Sequence, residues 1–258
     1  MSTALTHTWY LSGRRLHAVA RQPFFIVGNI FQPAIWLFLF GELFKRVVEI
    51  PGFGGGSYLD YLIPGVVVMN AMNANMFAGM GTLEEIDRGT LNRFLVSPAS
   101  RVALMNANVV EQAVTTALQS IIILLLGRLA GADLPGGQAG SATVVAAAVV
   151  IGIVFGSLSN AAGMVLRQRE AIIGIYIVFM LPLTFLSSAF MPTRLMPGWL
   201  RHVAAWNPLD WAVRAGRSAL STNPDWGEVT IRLGSLLALA VFCVAVSVAT
   251  FRSYQKSV

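Results

Sequence analysis

The sequence has 258 residues, of which 55% are hydrophobic and 12% are charged, and its mean hydropathy is +0.67. A soluble domain carries roughly twice that share of charge, so the composition predicts an integral membrane protein. The net charge of +6 comes from arginines spread over several polar segments, which argues against a nucleic-acid site and favours anionic lipid headgroups.

The first segment, residues 5–21, is predicted to form a helix that lies on the membrane surface. Leu5, Trp9 and Leu16 recur at roughly helical spacing, and Arg14 and Arg15 lie elsewhere around the helix. Tryptophan favours the interface and arginine favours anionic headgroups. A frayed basic leader is the alternative interpretation.

Six uncharged runs approach the roughly 20 residues that a membrane-spanning helix needs. The third reaches this length only by extending back toward Asn106, and the fourth is predicted to start near Thr143 because Pro135, Gly136 and Gly137 are typical of a loop. The predicted fold is one all-α membrane domain over residues 1–258. Its spans lie near residues 22–43, 61–83, 106–127, 143–166, 171–191 and 233–251.

An even number of spans places both termini on one side of the membrane. Of the 18 lysines and arginines, ten lie on the side of the termini and eight on the other. The first loops usually dominate orientation, so we place both termini in the cytoplasm. Abundant arginine and alanine with almost no lysine is typical of a high-GC bacterium, which predicts a multi-pass protein of the inner (plasma) membrane.

The sequence gives little support for an enzyme, an ion-coupled transporter or an ATPase. It contains no HExxH or GxSxG motif, its single cysteine is Cys243, and the span centres carry essentially no ionisable groups. A phosphate-binding loop needs GxxxxGK[ST], but the two lysines follow Phe44 and Gln255. We therefore expect no catalytic residue, metal or cofactor on this chain, and any ATP hydrolysis must occur in another polypeptide.

Residues 84–101, EEIDRGTLNRFLVSPASR, form a charged segment between two predicted spans. Gly89 permits a tight turn, and Pro98 ends a short helix. Leu91, Phe94 and Leu95 form an apolar ridge on that helix, which predicts docking on a partner protein. The alternative is an ordinary amphipathic loop helix.

Residues 192–230 follow the fifth span and are rich in proline and tryptophan. Such frequent prolines prevent one continuous helix, and tryptophans favour the headgroup zone, so short re-entrant helices are predicted. The element either lines or caps the outer end of a translocation route or is an external lid. The residues that define it are Pro192, Pro197, Trp199, Asn207 and Pro208.

The second predicted span carries methionines and asparagines at helical spacing. Met69, Met72, Asn73 and Met76 are candidates for a cavity wall, because methionine adapts to varied apolar surfaces. Helix packing or dimer contact is the commoner use of such residues. In the fourth span, small residues such as Gly152 and Gly156 predict close helix approach.

Two segments in order resemble type-2 ABC exporter permeases of the daunorubicin-resistance kind. In the first segment the matching positions are Arg88, Gly89, Thr90, Leu91, Leu95, Ser97, Pro98 and Arg101. In the second they run from Met191 and Pro192 through residues 197–200 and 207–209 to Arg214. The six spans and basic interfacial start extend the resemblance over essentially the whole chain.

The resemblance implies ATP-driven export of a hydrophobic small molecule, such as an antibiotic or drug. It implies a homodimer of this chain with two separate ATP-binding subunits, which bind ATP and magnesium. Residues 84–101 would couple those subunits to rigid-body movement of spans two and three. Export of a lipid-linked saccharide or other lipid and a non-transporting scaffold are the alternatives.

Overall fold

The computed structural model describes residue 13 and residues 23–51, 53, 56–87 and 101–256, and every regular element in these ranges is helical. The α-helices are α1 (Pro23–Ile35), α2 (Gly41–Leu43), α3 (Tyr58–Met76), α4 (Ala78–Asp87), α5 (Arg101–Leu129), α6 (Gly137–Leu166), α7 (Arg169–Phe185), α8 (Gly198–Trp206), α9 (Pro208–Leu220) and α10 (Trp226–Lys256). A π-helical turn, Trp36–Phe40, joins α1 to α2, and 3₁₀ turns occupy Lys45–Glu49 and Thr193–Leu195. The predicted surface helix, residues 5–21, lies outside the described residues apart from Gly13.

Four helical segments in the described ranges are long and apolar enough to cross a membrane. They are Tyr58–Asp87, Asn108–Leu129, Gly137–Leu166 and Trp226–Ser253, and a shorter apolar helix covers Ile30–Leu43. The prediction of an all-helical integral membrane protein is therefore confirmed.

The fourth predicted span begins earlier than expected. Helix α6 starts at Gly137, before Thr143, near which the fourth membrane span is predicted to begin. The N–H of Gly136 donates to the carbonyl of Leu220 at 3.0 Å, and a Cβ at Gly140 would lie 2.4 Å from the Ala219 carbonyl oxygen. The glycines here serve close packing against the end of α9.

The fifth predicted span ends earlier than expected. Helix α7 stops at Phe185 and not near residue 191. The Asn207 side-chain amide donates to the carbonyls of Leu183 at 2.7 Å and Leu186 at 2.9 Å. These bonds satisfy carbonyls that the last turn leaves free, so a side chain distant in sequence sets this boundary.

Helix α6 lies at the centre of the bundle and packs against α3, α4, α5, α9 and α10. Its glycines allow this: a Cβ at Gly152 would lie 2.8 Å from Asn75 Nδ2, and one at Gly156 would lie 2.3 Å from Gln112 Oε1. The predicted close approach of the fourth span is confirmed.

The two ends of the bundle differ in which segments they gather. At one end Asp133 N–H donates to Asp60 Oδ1 at 2.8 Å and Tyr58 Oη donates to the Phe190 carbonyl at 3.2 Å. At the other, Arg169 lies 3.7 Å from Asp87. We call the first end, where α3 begins after Ser57, the Ser57 end, and the second end, where α4 stops at Asp87, the Asp87 end.

Candidate functional site

The predicted docking segment is flanked by described helices at the Asp87 end. Helix α4 leads into it, and α5 leads away from it, with Arg101 as its first residue. The other candidate residues of the segment lie outside the described residues; they are Arg88, Gly89, Thr90, Leu91, Phe94, Leu95, Ser97 and Pro98. The docking role of this segment stays a prediction.

A polar cavity of about 450 Å³ lies beside these flanking helices. Its walls include the carboxyl groups of Glu84, Glu85 and Glu111 and the amides of Gln112 and Asn160. Within the described part of the chain, Gln112 Oε1 accepts no hydrogen bond. The cavity is therefore lined by both acidic and amide side chains.

Hydrogen bonds between side chains hold the helices around this cavity. Asn75 Nδ2 donates to Thr116 Oγ1 at 2.9 Å, and Asn70 Nδ2 donates to Gln119 Oε1 at 3.1 Å, which joins α3 to α5. Polar side chains within apolar helices commonly fix helix pairs in this way. Asn70 and Asn75 of the second span thus have a packing role.

The methionine candidates are divided between core and cavity. Met69 and Met72 are buried in the apolar core, which is the packing role that the sequence left open. Met76 borders an apolar cavity of about 180 Å³ together with Phe155 and Tyr176. Asn73 is partly exposed. A cavity role for Met76 and Asn73 stays a prediction.

The prolines divide the segment after α7 into separate short helices. Pro197 precedes α8, and Pro192 precedes the 3₁₀ turn. Asn207 caps α9, because its Oδ1 accepts from the N–H of Leu209 at 2.9 Å, and Pro208 is the first residue of α9. Trp199 is 66% exposed, as suits a side chain in the headgroup zone.

An irregular but buried stretch, residues 186–190, joins α7 to this element. Ser188 and Ala189 are almost fully buried, so their backbone groups need internal partners. The N–H of Ser188 donates to Asp210 Oδ1 at 2.7 Å. Its carbonyl accepts from Tyr61 Oη at 2.7 Å and from Arg217 Nη2 at 3.0 Å. We call Tyr58, Tyr61, Asn207, Asp210 and Arg217, which hold residues 183–190, the Ser188 clamp.

Arg217 connects the two sides of the Ser188 clamp. Its guanidinium lies 3.6 Å from the centroid of the Tyr61 ring and donates to the Tyr61 carbonyl at 3.1 Å. Burial lowers the pKa of the Arg217 guanidinium, whereas Tyr61 and Asp210 raise it. An arginine stays charged under these conditions, so it balances the fully buried carboxylate of Asp210.

We expect Tyr61→Phe to lower the free energy of unfolding by about 1–3 kcal/mol, because one donor to the buried Ser188 carbonyl is lost while the ring is kept. Thermal unfolding of the detergent-solubilised protein measures this change. Tyr176→Phe is the control, since Tyr176 lies outside the Ser188 clamp. Equal melting temperatures for the two variants would contradict the assignment.

A larger cavity, about 770 Å³, opens at the Ser57 end. Charged side chains of both signs line it, among them Asp60, Arg194, Arg214 and Glu228. Arg214 and Glu228 form an ion pair at 2.6 Å.

The tyrosines of the Ser188 clamp were not recognised from the sequence. Tyr58 and Tyr61 are three residues apart at a helix start, and Asp210 and Arg217 are seven apart in α9, so each pair shares a helix face. This spacing of polar groups along one helix face is the signal that could have revealed the cluster.

The chain matches the family described as ABC-2 type transporter over residues 6–221. This match covers both the flanks of the docking segment and the Ser188 clamp. The chain belongs to the ABC-2 type transporter family. It is thus a permease subunit and not itself catalytic, and the family implies an ATP-binding cassette partner subunit.

Several relatives of this permease cover most of its length. It is 25% identical to the "Daunorubicin resistance ABC transporter permease protein DrrB1" of Streptomyces coeruleorubidus, over 99% of this chain and 87% of the relative. It is 26% identical to the "Putative transport permease ycf38" of Cyanophora paradoxa, over 92% of this chain and 85% of the relative. With the "Probable multidrug ABC transporter permease YbhR" of Escherichia coli K12 the identity is 27%, over 59% of this chain and 41% of the relative. The resemblance noted from the sequence is confirmed.

Proposed function

We propose that this permease moves a hydrophobic small molecule, such as an antibiotic or drug, out of a bacterial cell. The observation that carries the proposal is similarity along nearly the whole chain to a permease named for daunorubicin resistance. A second relative, from Mycobacterium tuberculosis, is named as a probable doxorubicin resistance permease and is 21% identical over 98% of this chain.

In this proposal the chain crosses the inner membrane six times, with both termini and the Asp87 end in the cytoplasm. Helices α1 and α2 with the π turn between them supply the first span, and α7 supplies the fifth. Helix α7 has 17 residues, somewhat fewer than the roughly 20 that span a bilayer without local adjustment. Helices α8 and α9 form the re-entrant element at the outer face.

The working assembly we propose is a homodimer of this chain with two ATP-binding subunits, which carry the ATP and magnesium. Within the described residues, the cavities of about 450 and 770 Å³ at the two ends of one chain are separate from each other. Two copies would place a shared route between them. Helix α7 supports such an arrangement. Only Ile172 and Thr184 of this helix are buried within one chain, so its other side chains are left for contact with a second copy.

The two cavities suggest roles in a transport cycle. The polar cavity at the Asp87 end is open to a molecule that arrives from the cytoplasmic side, and its lining of apolar, acidic and amide side chains suits an amphipathic molecule. The Ser188 clamp keeps the re-entrant element in place at the opposite end. ATP-driven closure of the partner subunits then moves the docking segment and the helices that flank it.

Export of a lipid or lipid-linked saccharide is the second candidate. The cavity at the Ser57 end supports it, because its lining offers both cationic and anionic side chains to a polar headgroup. Comparing daunorubicin with a headgroup-labelled phospholipid as the transported probe separates the two candidates.

The docking role is tested by a Leu91→Asp, Leu95→Asp double variant. We expect it to insert normally but to lose ATP-driven daunorubicin transport by about ten-fold or more, because charged groups cannot enter an apolar cleft without a free-energy penalty. Transport is measured in proteoliposomes that hold the permease and its ATP-binding subunit.

The control for this test is Leu129→Asp, because Leu129 is an exposed apolar residue on the opposite side of the membrane. Normal transport by the double variant would show that residues 84–101 are not the docking site. An assembled wild-type complex that hydrolyses ATP but moves neither probe would favour the scaffold interpretation.

A further inference from the structure

The second span is broken close to the docking segment. Helix α3 ends at Met76 and α4 begins at Ala78. In an unbroken helix the N–H of Met80 would donate to the Met76 carbonyl, but it donates to the Phe77 carbonyl at 2.9 Å. The second span is therefore not one rigid rod.

A side chain from α6 occupies the break. Ser159 Oγ donates to the Met76 carbonyl at 2.5 Å and accepts from the N–H of Gly79 at 2.9 Å. Ser159 thus satisfies one backbone group on each side of the break. A side chain inserted into a helical hydrogen-bond ladder is an established cause of such interruptions.

The backbone of α4 lies directly against α6 on the docking side of the break. A Cβ at Gly79 would lie 2.1 Å from the Ser159 carbonyl oxygen, and one at Gly163 would lie 2.6 Å from the Gly79 carbonyl oxygen. One turn further on, Thr82 Oγ1 donates to Asn160 Oδ1 at 2.9 Å. Direct backbone contact and two side-chain bonds therefore fasten α4 to the fourth span.

Helix α6 also reaches the Ser57 end. Its 30 residues cover ~45 Å. At its far end Gly136 and Gly140 lie against the carbonyl of Ala219, two residues from Arg217 of the Ser188 clamp. Helix α6 thus contacts both α4, which leads into the docking segment, and α9, which is part of the re-entrant element.

We propose that Ser159 is a positioning residue that makes α4 move together with α6. Movement of the docking segment then reaches α9 and the Ser188 clamp through the fourth span. This inference rests on the proposed ATP-driven function, and it replaces rigid-body movement of the whole second span with movement of α4 and α6 as one unit.

The test compares Ser159→Ala with Ser157→Ala in the full complex with the ATP-binding subunit. Ser157 is also buried in α6, but within the described residues it makes no hydrogen bond to α4. For Ser159→Ala we expect daunorubicin moved per ATP hydrolysed to fall about five-fold or more while ATP hydrolysis stays within about two-fold of wild type. Ser157→Ala should resemble wild type in both quantities.

A second readout does not depend on the transported molecule. Amide hydrogen exchange is measured over α4 and α6 in the nucleotide-free complex and in the complex trapped with ATP and vanadate. In the wild type, trapping should change exchange in both helices. In Ser159→Ala, it should change exchange in α4 but change exchange in α6 clearly less than in the wild type, because the two hydrogen bonds of Ser159 across the break are lost.

The outcomes separate the two proposals. If α6 responds to trapping equally in Ser159→Ala and wild type, or if transport and ATP hydrolysis fall together, Ser159 is not the joint. If the wild type moves no daunorubicin but the response of α6 depends on Ser159, the substrate proposal fails and the joint stands.

Discussion

Replacement of Arg217 by alanine is expected to leave little folded permease in the membrane. The variant loses the donor to the carbonyls of Tyr61 and Ser188, and the buried Asp210 carboxylate loses its neighbouring cation. Each hydrogen bond to a charged group contributes about 1.5–3 kcal/mol, so the loss of these bonds is a large part of a typical folding free energy of about 5–15 kcal/mol. The yield of detergent-extracted protein and its melting temperature measure the effect.

Two further variants make this prediction specific. Arg128→Ala removes an exposed arginine at the end of α5 and should melt like wild type. The double variant Asp210→Asn, Arg217→Ala should melt higher than Arg217→Ala alone, because it no longer buries an uncompensated charge. Arg217→Ala melting together with Arg128→Ala would show that the Ser188 clamp contributes nothing to stability.

Replacement of Gly79 by alanine is expected to be the second most damaging change. The new methyl group would lie 2.1 Å from the carbonyl oxygen and 2.7 Å from the carbonyl carbon of Ser159. Both are backbone atoms of a central helix and cannot rotate away, so α4 and α6 must separate. Overpacking of this kind costs about 1–3 kcal/mol, and we expect a lower melting temperature in thermal unfolding.

Helix α4 contains its own control for this change. Gly81 lies two residues further on and has no atom within 4 Å of an added Cβ. Gly81→Ala should therefore be neutral or stabilising by up to ~1 kcal/mol, because alanine favours a helix more than glycine does. If Gly79→Ala melts as high as Gly81→Ala, the close contact between α4 and α6 is incorrect.

The sequence predicted the features that depend on local composition. Apolar runs predicted the helices, prolines predicted the separation of α8 from α9, and glycines predicted the close approach of α6. These properties follow from residues that are near one another in the chain. The same locality explains why the resemblance to the family could be recognised from two short segments.

The features that the sequence did not predict depend on distant partners. The end of α7 is set by Asn207, and the start of α6 is set by its contact with the end of α9. Ser159 has a role only because the break at Phe77 lies beside it. Local propensity carries no information about a partner tens of residues away, so the sequence alone did not place the ends of these helices.

The Ser188 clamp has a consequence for how the chain is made. Tyr61 contacts the Ser188 carbonyl across 127 residues of sequence, and Arg217 contacts the Tyr61 carbonyl across 156. At about 5–20 residues per second, a nascent chain therefore waits on the order of ten seconds before these partners are synthesised. During that interval the earlier helices can pack together in the membrane, but the end that carries Tyr61 remains unfinished. The fold is therefore completed only after the C-terminal third has been synthesised. A chain released before Arg217 would expose the unfinished end that carries Tyr61 to quality-control proteases.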